Sequence, residues 1–263
     1  MKETTIKSVN VKGATTASKI VGPKVPHFFK GNTKVGTKVL LFNKLAGNTV
    51  FNGCVGSCGQ FCEGCWNSKE WRKSPCYVAK SYIQYGDNTI NAHILNTIRM
   101  REDVKGTFEE LNEQLKRKRT AYPVRIHGSG ELESPEELKG WAWLASQHPE
   151  RPFYIYTKAF PFVDELLTDT SESSLPKNFF INVSVWHEFG ITTFKKWEYI
   201  PTIRAFAYDD GFNYLQHGLE VRQYCPAYKK NKGGKIKMDH NLTCEKCGLC
   251  FSTKARILGC LDH

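Results

Sequence analysis

Two compact groups of cysteines hold most of the thiols in this chain of 263 residues. The first group contains Cys54, Cys58, Cys62 and Cys65, and from Cys58 onward its spacing is C-x3-C-x2-C. Three thiolates on one loop can bind three irons of a [4Fe–4S] cube and leave the fourth iron open to another ligand. Glycines within the loop let the backbone fold tightly around such a cube and direct N–H groups at its sulfides. A zinc site is the alternative, because Cys54/Cys58 and Cys62/Cys65 also form two ligand pairs.

The second group joins Cys225 to Cys244, Cys247 and Cys250. Its C-x2-C-x2-C run with a remote Cys-Pro is closer to the bacterial ferredoxin pattern than to a zinc ribbon, whose two pairs share no cysteine. It predicts an auxiliary [4Fe–4S] cluster with all four irons bound by protein, with zinc again as the alternative. Such a centre would relay electrons, anchor a substrate or stabilise a tail too small to fold alone.

Net charge and hydropathy indicate the binding partners and the cellular location of the protein that carries these cysteines. The net charge of +11 favours a nucleic acid or nucleotide partner, because a basic surface attracts phosphate groups. No run approaches the roughly 18 apolar residues that a membrane span needs, and the first ten residues lack the apolar core of a signal peptide. We therefore expect a cytoplasmic protein without a membrane partner. Thiols stay reduced there, so ten cysteines indicate metal binding or catalysis rather than disulfides.

The segments that must position the cysteines alternate between strand-like and helical patterns. A helix is expected from the Ser134-Pro135 start to about Gln147. The strand-like runs are residues 38–42, 122–127, 153–157, 179–185, 203–208 and 219–222. At about 31 residues per unit of a full barrel, the stretch 37–222 accommodates about six units. We expect an α/β fold, namely a partial (β/α)6 TIM-like barrel that is open on one side.

Three segments follow from this pattern. They are a basic N-terminal arm over 1–35, the partial barrel over 36–222, and a small C-terminal Cys-rich metal-binding extension over 223–263. The first cysteine loop follows the first strand, at the end of the barrel where catalytic loops gather. Its position therefore favours an iron–sulfur cluster over zinc.

A C-x3-C-x2-C loop after the first strand, with Gly128-Ser129-Gly130-Glu131 directly after the second, resembles the radical S-adenosylmethionine (radical SAM) superfamily. More narrowly, VRIHGSGE, YIYTK and the Cys-Gly-Leu-Cys tail resemble the phage family called gene product eighty-eight, over residues 39–251. Two features depart from the superfamily pattern. Gly64 replaces the usual aromatic residue before the third cysteine, and Cys54 is an additional thiol that would close the fourth iron.

The radical SAM resemblance implies a ligand set and a cofactor. Cys58, Cys62 and Cys65 would bind the cluster, and SAM would chelate its open iron. In the motif Gly128, Ser129, Gly130 and Glu131, the glutamate would accept a hydrogen bond from the methionine amine. Lys158 would meet the methionine carboxylate. Ser184 and Asp209, at the ends of the fourth and fifth strands, would contact ribose and adenine.

The implied activity is a radical reaction in the cytoplasm of the phage host. One electron, from a donor such as flavodoxin or ferredoxin, would yield a 5′-deoxyadenosyl radical that modifies a nucleic acid, nucleotide or peptide. The cofactor would supply the difficult chemistry and the protein its orientation. The alternative is a non-catalytic nucleic-acid-binding protein with structural iron–sulfur or zinc sites.

Overall fold

The structure, a computed structural model, describes residues 26–32, 35–48, 50–61, 76–169, 175–185, 188–208, 212–230, 236–239 and 241–261. Three predicted site residues, Cys62, Cys65 and Asp209, lie outside these ranges. Within the ranges the strands are β1 (Phe29–Lys30), β2 (Leu40–Phe42), β3 (Val50–Phe51), β4 (Cys54–Val55), β5 (Val124–Ile126), β6 (Phe153–Thr157), β7 (Phe179–Ser184), β8 (Ile203–Tyr208), β9 (Gln223–Tyr224), β10 (Tyr228–Lys230), β11 (Ile236–Met238) and β12 (Ile257–Cys260). The helices are α1 (Tyr77–Tyr85), α2 (Asp87–Glu102), α3 (Val104–Lys116), α4 (Pro135–Gln147), α5 (Phe160–Asp169), α6 (Glu188–Lys195) and α7 (Cys244–Cys247).

A mostly parallel sheet forms the centre of the described structure, in the order β1-β2-β5-β6-β7-β8-β12-β9. Only the pairing of β1 with β2 is antiparallel among these strands. Helices connect β2 to β5 and each following strand to the next as far as β8. The predicted α/β class is confirmed.

Both faces of this sheet are covered, which explains the nearly continuous apolar runs of its strands. One face packs against α3, α4, α5 and α6 through alternating residues such as Phe42, Ile126, Ile155, Ile181 and Ala205. The opposite face, here called the tail face, packs against residues of the C-terminal segment through Leu41, Tyr154, Tyr156, Phe180, Phe206 and Leu258. The period of two along each strand assigns these residues to opposite faces.

Helix α4 begins where its capping sequence predicts. The Ser134 hydroxyl accepts a hydrogen bond from the backbone N–H of Glu137 at 3.2 Å, and Pro135 occupies the first turn. Both features satisfy or remove N–H groups that a helix start leaves unpaired. The helix buries Leu138, Trp141 and Leu144 against the sheet and runs to Gln147, as expected.

The sixth predicted strand, residues 219–222, is wrong, because those residues form no strand. β12 from the tail pairs with β8 instead, and β9 pairs with the far side of β12. Leu219 is buried in the core, so its apolar character reflects packing rather than strand pairing. The boundaries 1–35, 36–222 and 223–263 stay a prediction, although two strands of the last segment belong to the main sheet.

In the part of the chain that the structure describes, no helix is long and apolar enough to cross a membrane.

Candidate active site

The first cysteine of the loop sits in a β-hairpin. Asn52 and Gly53 connect β3 to β4 with φ angles of 48° and 81°, and Cys54 pairs with Phe51 across the turn. Asn-Gly favours this two-residue turn, because both positions need positive φ. The Cys54 sulfur lies 3.6 Å from Nη1 of Arg101 on α2. The hairpin therefore directs this thiol at α2.

Cys58 lies in a different environment, beyond the hairpin. The backbone N–H of Gly47 donates to its sulfur at 3.1 Å, and its own N–H donates to the Gly47 carbonyl at 3.2 Å. Glu131, Cys76 and Lys158 act on it electrostatically. Burial raises the pKa of the Cys58 thiol to about 12. Cys58 is therefore held by the Gly47 backbone, whereas Cys54 is directed at α2.

The glycine motif contacts the cysteine loop directly. The backbone N–H of Glu131 donates to the Ser57 hydroxyl at 3.1 Å, next to Cys58. Gly130 has a φ of 86°, and a Cβ at that position would lie 2.6 Å from Oγ of Ser57 and 2.8 Å from Cβ of Lys44. Only glycine tolerates both the backbone angle and the close approach. The fold thus brings together two motifs whose contacting residues, Ser57 and Glu131, are 74 residues apart in sequence.

A second set of contacts holds the same turn against the end of β2. The N–H of Lys44 donates to the Ser129 carbonyl at 2.9 Å, and the Ser129 hydroxyl donates to the Lys44 carbonyl at 2.9 Å. Gly128 packs closely on Asn43, since a Cβ there would lie 2.8 Å from the Asn43 amide oxygen. The turn is therefore fixed on both sides.

A buried ion cluster lies beneath this turn. Nζ of Lys44 is 2.7 Å from Oε2 of Glu137 and 3.1 Å from Oε2 of Glu133. Nε2 of His127 lies 2.9 Å from the other carboxylate oxygen of Glu137. Burial opposes ionisation of Glu137, but Lys44 and His127 lower its pKa to about 2. His127 has a φ of 53° and supports the turn through this carboxylate.

The Glu131 carboxylate is oriented by three donors. Oε1 accepts from the Thr157 hydroxyl at 2.8 Å and from the N–H of Leu132 at 2.8 Å. Oε2 accepts from the N–H of Lys158 at 3.0 Å. An ionised carboxylate offers about four acceptor positions, so one remains for a further donor.

The strand ends bring other predicted residues to the same edge of the sheet. Lys158 follows β6 directly, and Ser184 is the buried last residue of β7. Because Thr157 pairs with Val183, these two residues lie at the same level of neighbouring strands. The carboxyl edge of a parallel sheet is where open α/β folds bind ligands.

The four cysteines of the second group line one cavity on the tail face. Cys225, Cys244, Cys247 and Cys250 all line one open cavity. Arg125 and Tyr156 line the same cavity from the sheet. Among the described residues, no three His, Cys, Asp or Glu side chains are grouped closely enough to hold a single metal ion.

Comparison with known proteins identifies the family. The family profile described as Gene product 88 matches residues 26–253. The chain belongs to the Gene product 88 family. This is a phage protein family, so the narrower resemblance read from the sequence is confirmed. No curated protein and no solved structure gave a match.

The Gene product 88 match spans both cysteine groups and the glycine motif. Sequence reasoning nevertheless missed three residues of the first site. Ser57 and Thr157 hold Glu131 through hydrogen bonds. Cys76 is half-buried, packs at the edge of a hydrophobic cluster that contains Cys58, and acts electrostatically on that thiol. Of the features found here, only the Asn52-Gly53 turn carried a sequence signal, namely a hairpin that separates Cys54 from Cys58.

Proposed function

We propose that this Gene product 88 protein is an iron–sulfur enzyme of the radical SAM type. In this proposal Cys58, Cys62 and Cys65 bind a [4Fe–4S] cluster, and Glu131 binds the amine of SAM. The observation that carries the proposal is the hydrogen bond from the N–H of Glu131 to Ser57, the neighbour of Cys58. It joins the cysteine loop to the glycine turn at the edge where β2 and β5 end.

The sheet topology supports the proposal. Strands β2, β5, β6, β7, β8 and β12 are parallel neighbours, and the connections as far as β8 contain helices. A partial (β/α)6 barrel has this order of strands. The cysteine loop follows the first of these strands and the glycine turn follows the second, as the superfamily pattern requires.

The residues around Cys58 fit an anionic cluster. Gly47 directs its N–H at the cysteine sulfur, which is the kind of donor that stabilises charge on iron–sulfur ligands. Cys54 points at Arg101 in a separate hairpin. We therefore propose that Cys54 is not a ligand and that the loop supplies three thiolates, which leaves one iron for SAM.

The residues around Glu131 fit an aminoacyl group. Three donors fix its carboxylate, and a fourth acceptor position is available to an amine. Lys158 is positioned by its backbone bond to Glu131 and adds a positive charge near the predicted methionine carboxylate. Ser184 and Asp209 are proposed to contact the nucleoside part of SAM from the neighbouring strand ends.

The protein and its cofactors divide the work. When bound, a reduced [4Fe–4S] cluster and SAM supply one-electron cleavage of the sulfonium, which no amino-acid side chain provides. Glu131 and Lys158 orient the methionine end, and the buried Ser57–Glu131 contact fixes it relative to Cys58. A one-electron donor such as flavodoxin or ferredoxin, and the host cytoplasm as location, complete the proposal.

The substrate class is inferred from charge alone. The net charge of +11 favours a substrate with phosphate groups, either a nucleic acid or a nucleotide, over a peptide. The same charge favours the competing function, a nucleic-acid-binding protein whose metal sites are structural. The two functions differ in whether SAM binds a reduced cluster.

Anaerobic purification followed by EPR of the reduced chain, with and without SAM, tests the proposal. We expect SAM to change the EPR spectrum of the reduced cluster and 5′-deoxyadenosine to form. An unchanged spectrum together with no 5′-deoxyadenosine would sink the enzyme and favour the nucleic-acid-binding alternative. Zinc without acid-labile sulfide would exclude the cluster itself.

Single-cysteine variants assign the ligands. We expect Cys58→Ala to lose about four irons per chain, the content of one cluster. Cys54→Ala is the matched control, because Cys54 is equally buried and only four residues away. It should retain iron and the response to SAM. Cys76→Ala should do the same; loss of iron in that variant would mean that the cluster has a fourth thiolate and no open site.

A further inference from the structure

The tail face of the sheet is polar where apolar packing is expected. Tyr156, Asn182 and Arg204 are paired in register on β6, β7 and β8, so they form a row across three neighbouring strands. Arg125 lies on the same face, on β5, with its guanidinium 5.2 Å from the centre of the Tyr156 ring. A row of this kind is costly to bury unless each polar group finds a partner.

Arg204 has a buried charge with little compensation from the protein. Its side chain is 0% exposed, and only Nε donates a hydrogen bond, to the Ala255 carbonyl at 2.6 Å. Both terminal nitrogens of its guanidinium are buried and have no hydrogen-bond partner among the described residues. Nε of Arg125 is likewise buried and has no hydrogen-bond partner among the described residues. Neither arginine forms an ion pair with a carboxylate in the described part of the chain.

The cysteines of the second group face these cations. Cys250 acts electrostatically on Arg204, and Cys244 acts on Arg125. Cys250 is also influenced by Cys244 and Cys225, and its sulfur accepts a hydrogen bond from Tyr156. Nδ2 of Asn182 donates to the Cys250 carbonyl at 3.2 Å. Arg125 and Tyr156 line the cysteine cavity, and Asn182 and Arg204 continue the polar row from Tyr156 behind its wall.

Charge balance indicates what the site holds. A buried cation needs a counter-anion close by, because an unpaired charge in the interior costs several kcal/mol. Four thiolates around an iron–sulfur core carry net negative charge, and hydrogen bonds to the sulfurs tune its potential. The four cysteines lie around the wall of an open cavity, as a multi-atom centre requires. A single zinc ion would need all four sulfurs about 2.3 Å from one point.

We propose that Cys225, Cys244, Cys247 and Cys250 hold a [4Fe–4S] centre on the tail face, with Arg125 and Arg204 as the buried cations that balance its charge. Arg204 is a positioning and charge-balancing residue rather than a ligand. Arg125 also borders the first site, because a Cβ on Gly128 would lie 3.9 Å from its Nε. The proposal does not depend on radical SAM chemistry at Cys58.

Metal analysis of the full-length chain tests the ligands. We expect Cys250→Ala to lose about four irons and four acid-labile sulfides relative to the parent chain. The SAM-dependent EPR change at the first site should persist in this variant, which separates the two proposals. Unchanged iron in Cys250→Ala, or zinc in place of iron in the parent chain, overturns the second centre.

A redox titration followed by EPR tests the two arginines. It uses full-length Cys58→Ala, in which the tail centre is the iron–sulfur signal that remains. Adding Arg204→Met should shift the midpoint potential to more negative values, because a nearby positive charge favours the reduced cluster. Arg204→Lys keeps the charge and should stay closer to the parent potential.

Arg151→Met is the matched control for these variants. Arg151 is also buried, but it pairs with Glu150 before the start of β6 and is not part of the polar row on the tail face. It should leave the potential unchanged. If Arg204→Met does not fold, Arg125→Met provides the same measurement. A potential that is the same in all folded arginine variants overturns the charge-balancing role.

Discussion

Glu131 donates its backbone N–H to the hydroxyl of Ser57 at 3.1 Å, and that hydroxyl donates to the Leu45 carbonyl at 2.9 Å. One serine thus links the glycine turn, the cysteine loop and the segment after β2. All three groups are buried. A buried polar group that loses its hydrogen-bond partner destabilises the fold. A single substitution at Ser57 should therefore lower the stability of the protein.

Ser57→Ala should lower the free energy of unfolding by about 1–3 kcal/mol, because it leaves the N–H of Glu131 without its acceptor. Urea unfolding followed by circular dichroism measures this change. Ser81→Ala is the control, since Ser81 is not buried and, among the described residues, its hydroxyl donates only to the carbonyl of Tyr77 one turn earlier. Equal unfolding midpoints for the two variants would contradict the role of Ser57.

Gly130→Ala should destabilise the fold more than Gly86→Ala. Both glycines have positive φ, 86° and 65°, and a residue with a side chain in such a conformation costs about 1–3 kcal/mol. A Cβ at Gly130 also collides with Ser57 and Lys44, whereas a Cβ at Gly86 meets no atom within 4 Å. The melting temperatures of the two variants measure the difference: Gly130→Ala combines backbone strain with a steric collision, whereas Gly86→Ala has backbone strain alone. A smaller loss for Gly130→Ala would show that the turn can move away from the cysteine loop.

Glu137→Gln should cost about 3 kcal/mol, because it leaves the fully buried Lys44 with one carboxylate instead of two. The remaining partner, Glu133, keeps the loss at the lower end of the range for broken buried pairs. Glu165→Gln removes the partially exposed pair with Lys139 and should cost no more than about 1 kcal/mol. Chemical denaturation at pH 7 measures both, and similar values would mean that the ion cluster does not stabilise the turn.

The fold should lose stability as the pH falls from 7 towards 4, and His93 should account for part of the loss. Burial lowers the pKa of His93 to about 3 from an ordinary value near 6.5. The neutral ring, 2.9 Å from the Tyr82 hydroxyl, is therefore the form that the fold stabilises. Its contribution is complete above pH 6.5 and declines as the pH falls towards 3.

Glu137 adds a second loss at lower pH. Its folded pKa of about 2 is below the unfolded value of 4.5, so its contribution is complete above pH 4.5 and declines towards pH 2. Denaturation series from pH 7.5 to pH 4 with the parent chain and His93→Gln separate the two groups. The variant should lose less stability between pH 6.5 and pH 4.5. Identical slopes would exclude His93 as the source.

The radical SAM interpretation depended on short motifs that can be recognised in the sequence without a structure. The C-x3-C-x2-C spacing, the Gly128–Glu131 turn and the Ser134 cap are all local, so neighbouring residues determine them. Five of the six predicted strands also appear in the sheet, because each is rich in β-branched, aromatic and other apolar residues and is long enough to pair. The α/β class follows from that alternation.

Local patterns do not determine which distant segments pack together. The tertiary structure alone determined the strand order and the partners of the site residues. β12, from the tail, occupies the place predicted for residues 219–222, because strand order depends on pairing across the sheet rather than on apolar content. The hairpin turned Cys54 towards Arg101, although its spacing alone made it a ligand candidate. Arg125 and Arg204 face the tail cysteines because the register of four strands puts them there. The cysteines themselves were evident from their types and spacing, but their charged and hydrogen-bonding partners come from contacts between segments far apart in sequence.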